Sequence, residues 1–373
     1  MLAGAGLAAG SVLAGGASAA VAAPPVVTAA AAGTLSGVSC TSAKNCMAVG
    51  GRLGTRKGPG SSLAERWNGK KWSVVATPEP AGAHGGTLYS VTCTSTRSCV
   101  AGGLFDTSAH SPRAVAEHWN GRKWSVTAVP VPKGSSASYL FATACSSATT
   151  CWAAGASGNS TLIDRWNGKK WSRVSSPSPH PAKPNVLNGL ACTSARECWA
   201  VGYTFPGADS GSLTEAWNGK SWKAVSTPSS KAGELVGAAC ARPAACLAVG
   251  IGNNLFALAQ RWTGHGWVST PTPKPSGASS AQLDAAACAG PSACVGVGMY
   301  SAKGKFKVLA QRWTGARWVA ATAASPVGAT VATLAGAACV SASNCWAVGR
   351  AETASNTFVL FEHWNGKAWS IDG

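Results

Sequence analysis

An all-β fold of repeated four-stranded antiparallel sheets is predicted by three observations. The 14 cysteines all fall in one spacing, with five residues between partners: Cys40/Cys46, Cys93/Cys99, Cys145/Cys151, Cys192/Cys198, Cys240/Cys246, Cys288/Cys294 and Cys339/Cys345. A Trp, Asn or Thr, Gly, x, x, Trp turn follows every pair, with Trp67/Trp72, Trp119/Trp124, Trp166/Trp171, Trp217/Trp222, Trp262/Trp267, Trp313/Trp318 and Trp364/Trp369. The first cysteines stand 53, 52, 47, 48, 48 and 51 residues apart, a period typical of propellers and solenoids. Four strands repeated seven times is the arithmetic of a seven-bladed β-propeller. A solenoid is the alternative; it needs atypical polar end repeats, and the first and last repeats here look ordinary. The repeats fill 34–373, with blades at approximately 34–86, 87–137, 138–185, 186–232, 233–281, 282–332 and 333–373.

Each repeat reads as four short strands. Leu35 to Cys40 (LSGVSC) is the first, and the residues one and three before the cysteine are small in every copy. Small side chains suit an innermost strand, where backbones crowd around an axis. Cys46 to Gly50 (CMAVG) is the second, and a variable Gly/Ser-rich loop follows. The third is LAERW at 63–67, whose Leu63, Glu65 and Trp67 share a face by the period of two. Asn68-Gly69 then predicts a tight hairpin with both residues at positive φ. The fourth strand runs from Lys71 through Trp72 to Pro78.

The N-terminal stretch reads as an address. Residues 1–32 carry no charge and are mostly Ala and Gly. Residues 1–23 read as a secretory signal peptide and 24–33 as a linker; an N-terminal anchor is the competing reading. No strongly apolar run of 18 residues follows, so no internal membrane span is expected. Two cysteines flanking a five-residue turn sit opposite each other on adjacent strands, within disulfide reach. Closing a loop of about seven residues is worth about 2.4 kcal/mol in the chain-entropy account. Zinc sites instead cluster four ligands with closer spacing, so structural disulfides and an extracellular protein are the expectation.

The repeat resembles kelch and galactose-oxidase-type propeller repeats. Val49-Gly50-Gly51 with Trp72, and Ala101-Gly102-Gly103 with Trp124, carry that resemblance. Gly69 and Trp72 also match half of the Asp-box of sialidase-type propellers, but the Asp is absent from all seven copies. The likeness is greatest to secreted repeat proteins of high-GC bacteria that share the Cys pairs and the WNGxxW turns; it implies architecture and brings no function. Galactose oxidase chemistry needs copper held by two His and two Tyr. Here His84, His110, His118, His180, His265 and His363 form no ligand motif. No cofactor is expected. Sialidase chemistry needs an arginine triad, a Tyr nucleophile with a Glu, and an acid Asp. Tyr203 and Tyr300, just past the second strand, are the nearest approach to it and are kept as candidate ligand-binding residues.

Two features point to binding without catalysis. At two residues before the first Trp stand Glu65, Glu117, Asp164, Glu215, Gln260, Gln311 and Glu362. Gln replaces Glu there, which suits a buried acceptor tying blades together. The sharper reading is a sugar pocket between blades, because fucose-binding propeller lectins use Arg, Glu and an aromatic. Glu65, Arg66 and Trp67, Glu117 and Trp119, and Asp164, Arg165 and Trp166 resemble that set. The second feature is charge: 31 Lys and Arg against 13 Asp and Glu, net +18. Lys70, Lys71, Arg122, Lys123, Lys169, Lys170, Lys220, Arg317 and Lys367 fall on the third–fourth turns, and Lys44, Arg97, Arg196 and Arg242 on the disulfide turns. In a propeller these turns share one face, which would attract polyanions; exposed lysines that merely confer solubility are the plain alternative. The expected protein is a secreted, monomeric, non-enzymatic binding or scaffold module. Its expected partners are an extracellular glycan, an anionic wall polymer or a protein, with no specific nucleic acid. A multivalent lectin and a glycoside-processing enzyme are the alternatives.

Overall fold

The computed structural model describes residues 32–54, 60–107, 111–130, 132, 134–205, 210–228 and 233–372. The expected signal peptide and most of the linker lie outside these residues. The described chain is all-β, without a helix, and runs through 28 strands, β1 (Gly33–Ser42) to β28 (Trp369–Ile371). Consecutive strands pair antiparallel in fours. β1–β4 cover Gly33–Ser42, Asn45–Arg52, Ser61–Trp67 and Trp72–Val75. Five such sheets stand alone, and the remaining eight strands are two of them joined by one parallel pair, Phe306 with Val331.

One rung crosses all four strands of a blade. Cys40 pairs with Cys46, Cys46 with Trp67, and Trp67 with Trp72. The same rung recurs from Cys145 to Trp171 and from Cys339 to Trp369. Within the Trp67/Trp72 pair the ring centroids lie 5.8 Å apart, within the favourable range for tilted aromatic pairs.

All seven disulfides form as paired in the sequence: Cys40–Cys46, Cys93–Cys99, Cys145–Cys151, Cys192–Cys198, Cys240–Cys246, Cys288–Cys294 and Cys339–Cys345. No described cysteine is free. The two members of a pair are buried unequally. The first cysteine of each pair is only partly buried. The second, Cys46, Cys99, Cys151, Cys198, Cys246, Cys294 or Cys345, is buried in the blade and at most 3% exposed. The reason is its place on the second strand, on the face turned to the preceding blade. Cys99 packs there with Met47, Cys151 with Val100, Cys198 with Trp152, Cys246 with Trp199, Cys294 with Leu247 and Cys345 with Val295. These seven second cysteines therefore belong to the core.

The inner strands close a ring. β1 (Gly33–Ser42), β5 (Ala83–Ser95), β9 (Ser138–Ser147), β13 (Asn185–Ser194), β17 (Gly233–Arg242), β21 (Ser280–Gly290) and β25 (Val331–Ser341) each pack on the next, and β25 packs back on β1. The small residue three before the first cysteine is the contact point. A methyl group on Gly37 would meet Ser90 Cα at 2.9 Å, and one on Gly336 would meet Gly37 Cα at 2.9 Å. Between blades, the residue after the second cysteine inserts against the Trp pair of the following blade. Trp152 lies 4.7 and 5.3 Å from Trp217 and Trp222, and Trp199 lies 4.5 and 5.1 Å from Trp262 and Trp267. Trp346, in the last blade, packs 4.8 and 5.2 Å from Trp67 and Trp72 in the first. Ring closure therefore rests on face packing, with every strand of a blade supplied by one continuous segment.

The turn differs from its sequence reading in one respect. Gly69 has φ +90°, but Asn68 is not at positive φ. The residues between the bonded Asn68 and Lys71 are Gly69 and Lys70. Asn68 instead lends its side chain: Oδ1 accepts from the backbone N–H groups of Lys70 (2.9 Å) and Lys71 (3.0 Å). Thr263 Oγ1 substitutes for it, accepting from Gly266 N–H at 3.1 Å.

The closing contact gives a direct prediction. Trp346→Ala should cost about 3–5 kcal/mol by removing a buried indole. Trp346→Leu, the side chain that Leu247 supplies at the same place, should recover part of that loss in chemical denaturation.

Candidate functional site

The two kinds of turn meet on one face. Trp67 Nε1 donates to Ala43 O in the disulfide hairpin at 3.1 Å, and Trp119, Trp217, Trp313 and Trp364 repeat the bond at 3.0–3.2 Å. A methyl on Gly69 would lie 3.0 Å from Lys44 Cβ, and one on Gly121 would lie 2.9 Å from Arg97 Cγ. All thirteen Lys and Arg named on these turns are exposed. Among the described residues neither ion pair involves them: the pairs are Arg173 with Asp164 and Arg350 with Glu352. Glu197 is the one carboxylate in the same turns and hairpins.

The carboxylates before the first Trp are buried without exception. Glu65, Glu117, Asp164, Glu215, Gln260, Gln311 and Glu362 are each at most 6% exposed. Several bind the segment entering from the preceding blade. Ser176 Oγ donates to Glu215 Oε2 at 2.7 Å, Gln311 Nε2 donates to Pro273 O at 2.8 Å, and Ala324 backbone bonds Glu362. Asp164 is held by Arg173, Nε to Oδ1 2.7 Å, and Arg173 also donates to Pro130 O. Burial pushes the Glu65 carboxyl up to about 7 against the pull of Arg52, and Glu117, Glu215 and Glu362 up to about 8. Burial raises Asp164 as well, opposed by Arg173.

Glu and Arg of the triplet do not converge. They alternate across the strand, so Glu65 and Trp67 face the preceding blade while Arg66 faces the following one. Arg66 donates to Asn45 Oδ1 at 3.1 Å, and Arg165 lies over Trp152 of its own blade at 5.6 Å. What does converge is an arginine from one blade and the first Trp of the next. Arg312 lies 5.3 Å over Trp364 beside a cavity of about 200 Å³, and Arg261 and Trp313 line a second of about 130 Å³. His118 replaces the arginine over Trp166, with centroids 6.1 Å apart.

Tyr203 and Tyr300 lie inside β14 (Glu197–Thr204) and β22 (Ala293–Ala302), because the second strands run further than CWAVG suggests. Both are half-buried. Burial and the nearby Glu234 raise the Tyr203 hydroxyl. The sequence reading missed the axial channel, a cavity of about 590 Å³. Each inner strand has a bulge, and its unpaired residue lines the channel: Ser36, Tyr89, Phe141, Asn188, Val236, Asp284 and Ala335. The signal was present. In Leu-x-small-x-small-Cys, that x is the one position running from Ala to Tyr to Asp.

The buried carboxyls have a pH signature. A carboxyl whose folded pKa is raised stabilises fully below its unfolded value of about 4.3, and that contribution falls as pH rises toward about 8. Glu117→Gln and Glu362→Gln should therefore raise stability at pH 8 by at least about 1 kcal/mol and leave it nearly unchanged at pH 4, below the unfolded carboxyl's own value, read by thermal unfolding at both. Gln260 and Gln311 show that the frame accepts the amide.

No family model matches the chain, and no curated protein matches it. Solved structures do. The chain is similar to YCF48 bound to a D1 peptide, with TM-score 0.54, 14% identity, and 93% of this chain and 99% of that one covered. A chain of the mitotic checkpoint complex gives TM-score 0.54 at 11% identity, covering 95% and 98%. The RRP9 WD40 repeats give 0.50 at 10%, covering 79% and 81%. At these identities the likeness shows the fold alone, a β-propeller of four-stranded blades; the hairpin disulfide in each blade belongs to this chain.

Proposed function

We propose that this chain is a secreted seven-bladed propeller that binds extracellular polyanions through its turn face and performs no catalysis. The observation that carries the reading is the meeting of disulfide and WNGxxW turns on one face, with thirteen exposed cations outside any described ion pair. Such a field raises local polyanion concentration and weakens as salt shortens its reach. Seven disulfides fit an oxidising compartment, and no helix among the described residues is long and apolar enough to cross a membrane. Secretion would be directed by residues 1–23. The buried, partly Gln-substituted carboxylate position supports a structural role and gives no acid–base pair. An anionic wall polymer is the partner this face fits best.

A second reading has its own support. The Arg312–Trp364 and Arg261–Trp313 clefts offer a guanidinium beside an aromatic face, the pairing a sugar ring would use. Several weak sites on one ring would gain by avidity.

Binding of a teichoic-type polymer, heparin and neutral glycans at low and high salt separates the two. The polyanion reading expects at least a tenfold loss on raising salt, and about another tenfold loss in a Lys70→Glu, Lys71→Glu, Lys169→Glu, Lys170→Glu variant. Binding that survives high salt, follows sugar identity and is lost in Arg312→Ala would replace it with the lectin reading.

A further inference from the structure

The seven bulged residues occupy equivalent places, yet their chemistry is lopsided. Bulges re-aim side chains, and here each re-aims one into the channel. Asp284 is the one charged residue lining it, in a chain of net charge +18. Across the ring from Asp284 stand Tyr89 and Phe141. Ser36 and Ala335 separate the two sides on one flank, and Asn188 and Val236 on the other. The aromatic side is a cluster: Tyr89 and Phe141 centroids are 5.2 Å apart, and Tyr139 stacks on Phe141 at 5.3 Å. The acidic side is oriented: Gln282 Nε2 donates to Asp284 Oδ1 at 2.6 Å, and among the described residues Oδ2 accepts no protein hydrogen bond.

We infer that the axial channel binds a small organic cation, with Asp284 as counter-charge and the Tyr89–Phe141 wall facing its apolar body. The cavity of about 590 Å³ lies within the range of small-molecule sites, roughly 300–1,000 Å³. A carboxylate in a confined channel pairs strongly with an ammonium group, and aromatic faces add attraction for the same charge. Burial pushes the Asp284 carboxyl up to about 6, opposed by the Gln282 hydrogen bond, so it is largely ionised at pH 7.5. Anions find no cation among the lining residues. The cations at the turn end of the inner strands, Lys44, Arg97, Arg196 and Arg242, are exposed and are screened beyond about 8 Å at physiological salt.

The test compares benzylamine with its neutral counterpart benzyl alcohol by ligand-observed NMR titration at pH 7.5 in 150 mM salt. Benzylamine should bind at least tenfold more tightly. Asp284→Asn should reduce it to the level of the alcohol, and Phe141→Leu should weaken it severalfold. Asn188 and Val236 already occupy equivalent positions, so the asparagine variant keeps the frame, which unchanged melting would verify. Should that variant unfold, severalfold weaker benzylamine binding in Phe141→Leu, with benzylamine contacts to Tyr89 protons in the native protein, carries the test, and undiminished binding in Phe141→Leu overturns the inference. Equal binding of amine and alcohol, no binding of either, or full benzylamine affinity in Asp284→Asn would overturn the inference. The site is separate from the turn face: Asp284→Asn should retain polyanion binding, and the lysine-to-glutamate variant should retain benzylamine binding.

Discussion

The registration of Cys, Cys, Trp and Trp on one rung governs the geometry of each blade. Because side chains alternate along a strand, pinning one rung assigns a face to every other position. It sends Glu65 and Trp67 toward the preceding blade and Met47 and Arg66 toward the following one. It also sets the disulfide hairpin beside the WNGxxW turn, so the indole N–H can cap a hairpin carbonyl. A slip of one residue would reverse all of these assignments, and the covalent hairpin opposes such a slip. Large residues then fill the space between blades: Met47, Trp152, Trp199, Leu247 and Trp346 each join the Trp pair of the next blade in one apolar cluster.

Charge follows from the same register. Five of the 13 carboxylates lie at the buried position, whereas the turn positions hold exposed Lys and Arg. The surface is therefore more cationic than the whole-chain balance suggests. Protonation of the raised carboxyls adds to the imbalance without placing an unpaired anion in the interior, where desolvation would oppose it.

Much of this was legible in the sequence, because a motif repeated seven times averages out local ambiguity. Strand order, cysteine pairing and the shared face of the turns all follow from spacing. The unequal burial of the two cysteines does not, because it depends on which blade lies against the second strand. The small residues before each first cysteine correctly marked the axis, since Gly37, Gly189, Gly237 and Gly336 abut the neighbouring inner strand. The bulge itself was not read from the spacing, although its residue is the variable first x of Leu-x-small-x-small-Cys. A second trace is the glycine that pairs beside the bulge within each second strand: a side chain on Gly50, Gly202 or Gly349 would overlap a carbonyl oxygen of the first strand. Without the bulge, Tyr89, Phe141 and Asp284 have no common destination. The members of the Glu-Arg-Trp triplet part company for a related reason. Adjacency in sequence places Glu and Arg on opposite faces, and the arginine's aromatic partner comes from the next blade, as Trp364 does for Arg312.

Every blade is made from one uninterrupted segment, and the seam between β25 and β1 is packed like the others. Propellers that complete one blade with strands from both chain ends have a distinguished junction; this ring has none of that kind. Its order around the axis is cyclic, so the chain could begin at any of the inter-blade connections and specify the same object. A ring of this kind is also open to growth by whole repeats, since adding or losing one segment breaks at most the single parallel pair of Phe306 with Val331. The limit on its size is set by how far the axis can widen before Gly37-type contacts between inner strands come apart.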